Sequence, residues 1–275
     1  MKTVTSRHNP LVARFRAAAR RKSGRDSILL DGRRLIEEAL QAGLHVTVAA
    51  ATRAAADSEA GPLLATLESR GVAVHLVTES VMGAISPMAT PSGLAALAAR
   101  PSAGLADAVS NRPQLLAMPV DVQDPGNLGA IVRAAEGAGA TGIVVAGASA
   151  DPFGWKALRG AMGSVFRLPV AVERDPGAAA AAIQSAGIAL VAAVPTGGRP
   201  PSELDLARPA AIMIGGEGPG LSANLIERAD SIVTIPMRAP VESLNVAVAA
   251  ALLLFEAARQ RSVGSICSQT ADRMS

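Results

Sequence analysis

Tyrosine is missing from this sequence, tryptophan occurs once, and aromatic residues make up only 2% of it. The core must therefore be built from Ala, Val, Leu and Ile, and ring platforms on which unpaired bases could stack are excluded. Cys267 is the only cysteine, which rules out an internal disulfide and a thiolate metal site. His8, His45 and His75 lie far apart in the first third of the chain without ligand spacing, so no metal is expected. No apolar segment follows the basic N-terminus as a secretory signal requires, and the apolar run over 246–255 is too short to cross a bilayer. These absences predict a cytoplasmic protein with no membrane partner.

Hydrophobic residues nevertheless make up 49% of 275 residues, enough for two domains with full cores. The net charge of +3 is unevenly placed: Lys2, Arg7, Arg14, Arg16, Arg20, Arg21, Lys22, Arg25, Arg33 and Arg34 face only Asp26 and Asp31 in the first stretch. A basic end on a near-neutral body predicts a polyanionic partner, with Arg7, Arg14, Arg20, Arg21 and Arg33 as candidate contacts.

Hydrophobic periodicity and breaker residues predict a small α/β domain over 1–100: a basic helix from Asn9-Pro10 to about residue 25, strands over 27–30, 45–50 and 72–77, and helices over 33–42 and 62–69. Residues 101–113, with Pro, Ser, Gly, Asn and Asp among them, read as a linker. A second α/β domain is predicted over 114–263, with strands over 115–120, 142–146, 168–172, 188–194, 210–214 and 231–235, alternating with helices over 128–137, 155–160, 177–185, 222–228 and 244–261. Several of these strands are unbroken apolar runs, as in a parallel sheet covered on both faces. Residues 264–275 are polar and patternless and read as a flexible tail.

In such sheets ligands bind beyond the carboxyl ends of the strands, so the loops that follow strands carry the chemistry. The first such loop runs from Asp121 through Pro125-Gly126 to Asn127, which is expected to cap the next helix; Arg133, four residues after Gly129, is expected to lean back over the bare glycine toward the loop. The second, Ile214-Gly215-Gly216-Glu217-Gly218-Pro219-Gly220-Leu221-Ser222, lets a ligand approach the backbone closely. It lacks the Lys-Ser/Thr of a phosphate loop, and Glu217 suits a neutral or cationic ligand better than a phosphate. The third leaves a strand at Ile235, turns between Pro236 and Pro240, and reaches Ser243, expected as the N-cap of a long helix, with Asn245 beside it. From 246 to 255 that helix is apolar on every face, so it should be buried all round, within its own domain or against a second subunit.

These three segments, Asn127-Leu128-Gly129-Ala130-Ile131-Val132-Arg133, the loop from Ile214 to Ser222, and Ile235-Pro236-Met237 through Glu242-Ser243-Leu244-Asn245-Val246, resemble in order and spacing the three motifs of the SpoU/TrmH family, RNA 2′-O-ribose methyltransferases of the SPOUT superfamily. The resemblance spans about residues 114–261. Ser6-Arg7-His8-Asn9-Pro10 and Leu29-Leu30-Asp31-Gly32 resemble that family's substrate-binding domain. Gly216 stands where the family usually has Asn, and Asp31 where Glu is common.

The resemblance implies a trefoil-knotted α/β methyltransferase domain behind a smaller N-terminal α/β substrate-binding domain, a homodimer built around the last helix, and S-adenosylmethionine as cofactor. It implies cofactor contacts at Val194, Pro195, Thr196, Ile214, Gly215, Glu217, Gly218, Gly220, Ile235, Met237, Ser243 and Leu244, and catalytic roles for Asn127, Arg133, Glu217, Ser243 and Asn245. Arg159 falls where the family often contacts RNA, whereas Trp155 reads as a packing residue. A guanidinium is almost always protonated, so Arg133 is expected to hold a phosphate or the forming alkoxide rather than remove a proton. Glu217 is expected to fix that arginine or its own loop. Ribosomal RNA is the expected substrate because of the separate basic domain. The rivals are the same chemistry on transfer RNA, a non-catalytic RNA-binding protein of the same fold, and a dehydrogenase, which the missing dinucleotide fingerprint disfavours.

Overall fold

The computed structural model describes residues 2–20, 26–58, 60–112 and 114–271. By its internal contacts the chain divides into two units, Met1–Pro101 with Phe153–Arg167, and Ser102–Pro152 with Leu168–Ser275.

The first unit begins with β1 (Lys2–Val4), α1 (Pro10–Arg20), β2 (Ser27–Asp31), α2 (Arg33–Gln41), β3 (Val46–Thr52), α3 (Arg53–Ala56), α4 (Gly61–Ser69), β4 (Ala73–Val77), α5 (Glu79–Ile85) and β5 (Leu94–Ala99). Its sheet order is β1-β4-β3-β5-β2, with β5 antiparallel to both β3 and β2 and the remaining pairs parallel. Asn9 starts α1 by accepting the Leu11 amide at 2.9 Å, and Leu11, Val12 and Phe15 bury the helix against β2 and α5. The expected continuation of this helix, with Arg21, lies outside the described residues.

The second unit opens with α6 (Leu105–Ser110), β6 (Leu115–Val120), α7 (Pro125–Gly137) and β7 (Gly142–Ala146). The chain then supplies α8 (Trp155–Ala161) and α9 (Ser164–Arg167) to the first unit, where Trp155 packs half-buried on the core around Phe15 and Met82. It returns as β8 (Val170–Glu173), α10 (Pro176–Ser185), β9 (Ala189–Ala193), a single 3₁₀ turn at Pro201–Glu203, β10 (Ala210–Gly215), α11 (Ala223–Arg228), β11 (Ser231–Val233) and α12 (Val246–Ala271). The six strands form a wholly parallel sheet in the order β11-β9-β10-β6-β7-β8. From β6 the chain moves outward through β7 and β8 and then crosses to the other side, so β6 and β10 flank the point where the order reverses. Their carboxyl ends pair directly, Val120 with Gly215, and their loops therefore emerge side by side at the place where such sheets bind ligands.

Three expectations are corrected. The stretch read as a linker holds α6, whose start is fixed by the Asp107 carboxylate accepting the Gly104 amide at 2.8 Å and whose Ala108 is buried. Phe153–Arg167 belongs by contact to the first unit, which no division into two continuous segments provides. The last helix runs to Ala271, through most of the expected tail, because Ser, Gln and Cys tolerate a helix once it has been nucleated. Among the described residues no helix is long and apolar enough to cross a membrane.

Candidate active site

The loop after β6 is held open by its first residue. Asp121 adopts φ 54°, and its Oδ1 accepts the Ala148 amide at 2.6 Å, tying the loop to the one that follows β7. The Val122 amide donates to Ser149 Oγ at 3.0 Å, and that buried hydroxyl donates to the Ala146 carbonyl at 2.7 Å. Gly216 lies against this loop so closely that a Cβ there would sit 2.1 Å from the Asp121 carbonyl oxygen. The departure from the usual Asn thus has a local cause: with Asp121 in this conformation, only glycine fits.

Asp124, not Asn127, caps α7. Pro125 takes the first helical position, and Asp124 Oδ1 accepts the Asn127 amide at 2.8 Å. The Asn127 side chain is therefore free for other work. Its Nδ2 donates to Glu217 Oε1 at 2.5 Å, and its Oδ1 accepts Asn245 Nδ2 at 3.1 Å. The cap of α12 is likewise Asn245 and not Ser243, since Asn245 Oδ1 accepts the amides of Ala247 at 2.9 Å and Val248 at 3.3 Å. One polarity thus runs from the N-terminus of α12 through Asn245 and Asn127 to Glu217, joining residues 90 and 118 positions apart. Capping commits the Asn245 oxygen, so its NH₂ must point at Asn127; that in turn aims the Asn127 NH₂ at the carboxylate.

Arg133 stands exposed on α7 with no hydrogen bond or ion pair among the described residues. Glu217 therefore holds Asn127; of the two partners expected for it, the arginine and its own loop, it makes no bond to the arginine among the described residues. Ser243 is also exposed and has no hydrogen bond among the described residues.

Beside this chain lies a cavity of about 600 Å³. All twelve residues expected to hold the cofactor line it: Val194, Pro195 and Thr196 after β9, Ile214 and Gly215 at the end of β10, Glu217, Gly218 and Gly220 after it, and Ile235, Met237, Ser243 and Leu244 before α12. Sequence reasoning missed the apolar lining supplied by Leu221, Ile226, Val246, Ala249 and Leu253; the signal available for the last three was the apolar start of α12. Thr234 ties the segment after β11 to the loop after β9, its hydroxyl donating to the Val194 carbonyl at 3.1 Å and accepting the Gly198 amide at 2.9 Å. Among the described residues Glu217 is the single charged group in the lining. The volume suits a ligand of nucleoside size, and an apolar wall with one carboxylate suits one that carries a positive charge. S-adenosylmethionine, an adenosine bearing a sulfonium, meets both conditions. Among the described residues no cluster of His, Cys, Asp and Glu could hold a metal.

The far end of α12 is anchored by Arg261, which donates from Nη2 to the Gln114 carbonyl and from Nε to the Leu206 carbonyl, each at 3.0 Å. Burial lowers the pKa of this guanidinium. One turn earlier, hydrogen bonds from Arg259 and then Gln260 hold the Glu256 carboxyl at about 2.

The arginines expected to contact RNA do not gather at this cavity. Arg7, Arg14, Arg20, Arg33 and Arg159 are exposed residues of the first unit, and Arg33 is paired with Glu37 at 2.6 Å. Arg159 Nη1 lies 2.9 Å from Met88 Sδ. Near it Asp31 accepts the Ser86 hydroxyl at 2.5 Å; burial raises the pKa of this carboxyl, against the opposing effects of the Ser86 and Ser92 hydrogen bonds and the Arg159 charge.

Residues 114–255 match the model of the SpoU rRNA methylase family, and residues 29–103 that of the RNA 2′-O ribose methyltransferase substrate-binding domain. The chain is 33% identical over 261 residues to the 23S rRNA (guanosine(2553)-2′-O)-methyltransferase RlmP of Bacillus subtilis, covering 93% of this chain and 98% of that protein. Its fold is similar to that of an AdoMet-bound rRNA methyltransferase from Sinorhizobium meliloti, with TM-score 0.84 and 30% identity over 94% of this chain and 97% of the other. It is also similar to AviRb of Streptomyces viridochromogenes in complex with AdoMet, with TM-score 0.80 and 27% identity over 93% and 100% of the two chains.

Proposed function

This chain belongs to the SpoU rRNA methylase family, and from that membership we propose that it methylates the 2′-hydroxyl of a ribose in ribosomal RNA, using S-adenosylmethionine. The observation that carries the assignment is the double role of Glu217, which lines the cavity and also ends the hydrogen-bonded chain through Asn127 and Asn245.

The residues of the β9 loop, the glycine-rich loop and the corner before α12 would hold the cofactor, with Ser243 offering a free hydroxyl at the cavity wall. When bound, S-adenosylmethionine supplies an electrophilic methyl on a cationic sulfur. The chain itself must then manage one proton, because a ribose hydroxyl is a poor nucleophile until its proton leaves. Glu217 supplies the acceptor: one oxygen is held by Asn127 and the other is uncommitted among the described residues. Arg133, which has no partner among the described residues, would grip the neighbouring phosphate and steady charge growing on the attacking oxygen.

Under this proposal the enzyme is a homodimer, supported by the half-exposed Val248, Leu252 and Phe255 on α12. It contains a trefoil knot formed by segments 215–220 and 235–245, works in the cytoplasm, and joins a substrate-binding domain, to which residues 153–167 also belong by contact, to a methyltransferase domain.

Ribose-methylation mapping of ribosomal and transfer RNA, from cells with and without the gene, tests the assignment. One ribosomal nucleotide should lose its 2′-O-methyl group and regain it with the wild-type gene but not with Arg133→Ala. A loss confined to transfer RNA would overturn the substrate, and no loss anywhere, together with no calorimetric binding of S-adenosylmethionine, would overturn the activity.

A further inference from the structure

The first unit carries a hollow of about 400 Å³ against α1, walled by Arg7, His8, Asn9, Arg16 and Arg20 and floored by Ala13 and Ala17. Positions 13, 16, 17 and 20 share one helix face, turned away from the face on which Leu11, Val12 and Phe15 are buried. The two alanines leave room that the arginines do not fill.

The groups around it are mainly donors. Arg16 Nε donates to the Ala84 carbonyl at 3.0 Å, which fixes the guanidinium plane and leaves its terminal nitrogens uncommitted among the described residues. Asn9 has its oxygen taken by the Leu11 amide, so its NH₂ is what remains to offer. Neither Arg7 nor Arg20 has an ion pair among the described residues, and no Asp or Glu lines the hollow. Three guanidiniums converging on one space without a counter-charge repel one another until an anion enters. The anion best matched to several planar, forked donors is a phosphate group.

We propose that this hollow seats a backbone phosphate of the RNA substrate, with Arg16 as the pre-fixed clamp and Arg7 and Arg20 closing on it; the proposal rests on the reading that the substrate is RNA. Sequence reasoning named Arg14 among the contacts and passed over Arg16. At about 100° per residue round the helix, Arg14 stands to one side, outside the hollow.

The test uses the full chain, a labelled single-stranded RNA and in vitro transcribed 23S ribosomal RNA, with binding followed across about 50–200 mM salt. The variant Arg7→Gln/Arg16→Gln/Arg20→Gln should bind about tenfold more weakly, and its log affinity against log salt should be shallower by about 0.7–0.9, the signature of one lost phosphate. Arg70→Gln, which removes an exposed charge elsewhere on the same unit, should change neither. Because Arg16 also bonds to Ala84, the double variant Arg7→Gln/Arg20→Gln repeats the test without disturbing that bond, and Arg16→Lys should weaken binding several-fold while keeping the slope. A triple variant indistinguishable from Arg70→Gln in affinity and slope would overturn the proposal. Methyl transfer separates the two readings: if the wild type transfers no methyl yet the triple variant loses RNA, the hollow stands and the enzymatic reading falls. If the wild type methylates RNA and the triple variant binds like Arg70→Gln, the hollow falls alone.

Discussion

Asn245 uses the two ends of one amide for two different tasks, and a single atom change separates them. Its oxygen caps α12, and its NH₂ orients Asn127 toward Glu217. Aspartate caps a helix about as well as asparagine but cannot donate. Asn245→Asp should therefore keep the fold and the affinity for S-adenosylmethionine, while setting a carboxylate oxygen against Asn127 Oδ1 and freeing Glu217 from its brace. The expected result is a fall in kcat of about 100-fold, the lower end of a general acid–base contribution, with Tm nearly unchanged; single-turnover methyl transfer and thermal melts measure both. Asn245→Ala should add a loss of about 1 kcal/mol in stability, because the cap goes as well. Wild-type turnover in Asn245→Asp would reduce the chain to packing. All three residues were legible as polar groups at loop ends. Their caps were misassigned by a few positions because Asp124 and Asn245 satisfy the same local rule as Asn127 and Ser243, and only the paths of the two helices decide between them. The link from 127 to 217 and 245 is tertiary, so no local pattern carried it.

At the scale of elements, the parallel strands and the last helix could be read because each is a long apolar run. The elements missed, β1, β5, α3, α5, α6 and α9, are short and depend on their neighbours: β5 is wholly Leu and Ala, a composition that suits a helix, and becomes a strand by pairing with β2 and β3. The continuous apolarity of α12 also predicted burial on every side. In the single chain one side is buried through Ala250, Leu253, Leu254 and Ala257, while Val248, Leu252 and Phe255 remain 48%, 50% and 52% exposed. These three are spaced four and three apart and so lie on one stripe, and completing their burial is worth roughly 1 kcal/mol each at the usual apolar-area coefficient. In the proposed homodimer that stripe would form the seam. Leu252→Asp with Phe255→Asp should convert a dimer into a monomer in sedimentation equilibrium while the cavity still binds S-adenosylmethionine, because neither side chain lines it. A variant that remains dimeric would move the interface elsewhere.

At the scale of the whole molecule, the division into units departs from the division into sequence segments. Residues 153–167 lie inside the stretch that matches the methylase family, yet by contact they belong to the first unit. Alternating strand and helix patterns could not reveal this, because a helix between two parallel strands looks the same whether it covers its own sheet or another. The burial of Ala157 and Leu158 in α8, which packs on β2, shows what the excursion does: it covers apolar surface on the substrate-binding sheet. Leu158 is 0% exposed, so truncating it leaves a cavity, and Leu158→Ala should cost about 2–5 kcal/mol. The loss should fall on the first unit although the residue sits between two strands of the second. Hydrogen exchange reads this directly, with amides of β2 and β5 exchanging faster in the variant and those of β6 and β10 unchanged. Calorimetry should find the affinity for S-adenosylmethionine preserved, while RNA binding weakens as the first unit loosens. Faster exchange in β6 and β10 with weakened cofactor binding would instead assign α8 to the methyltransferase core.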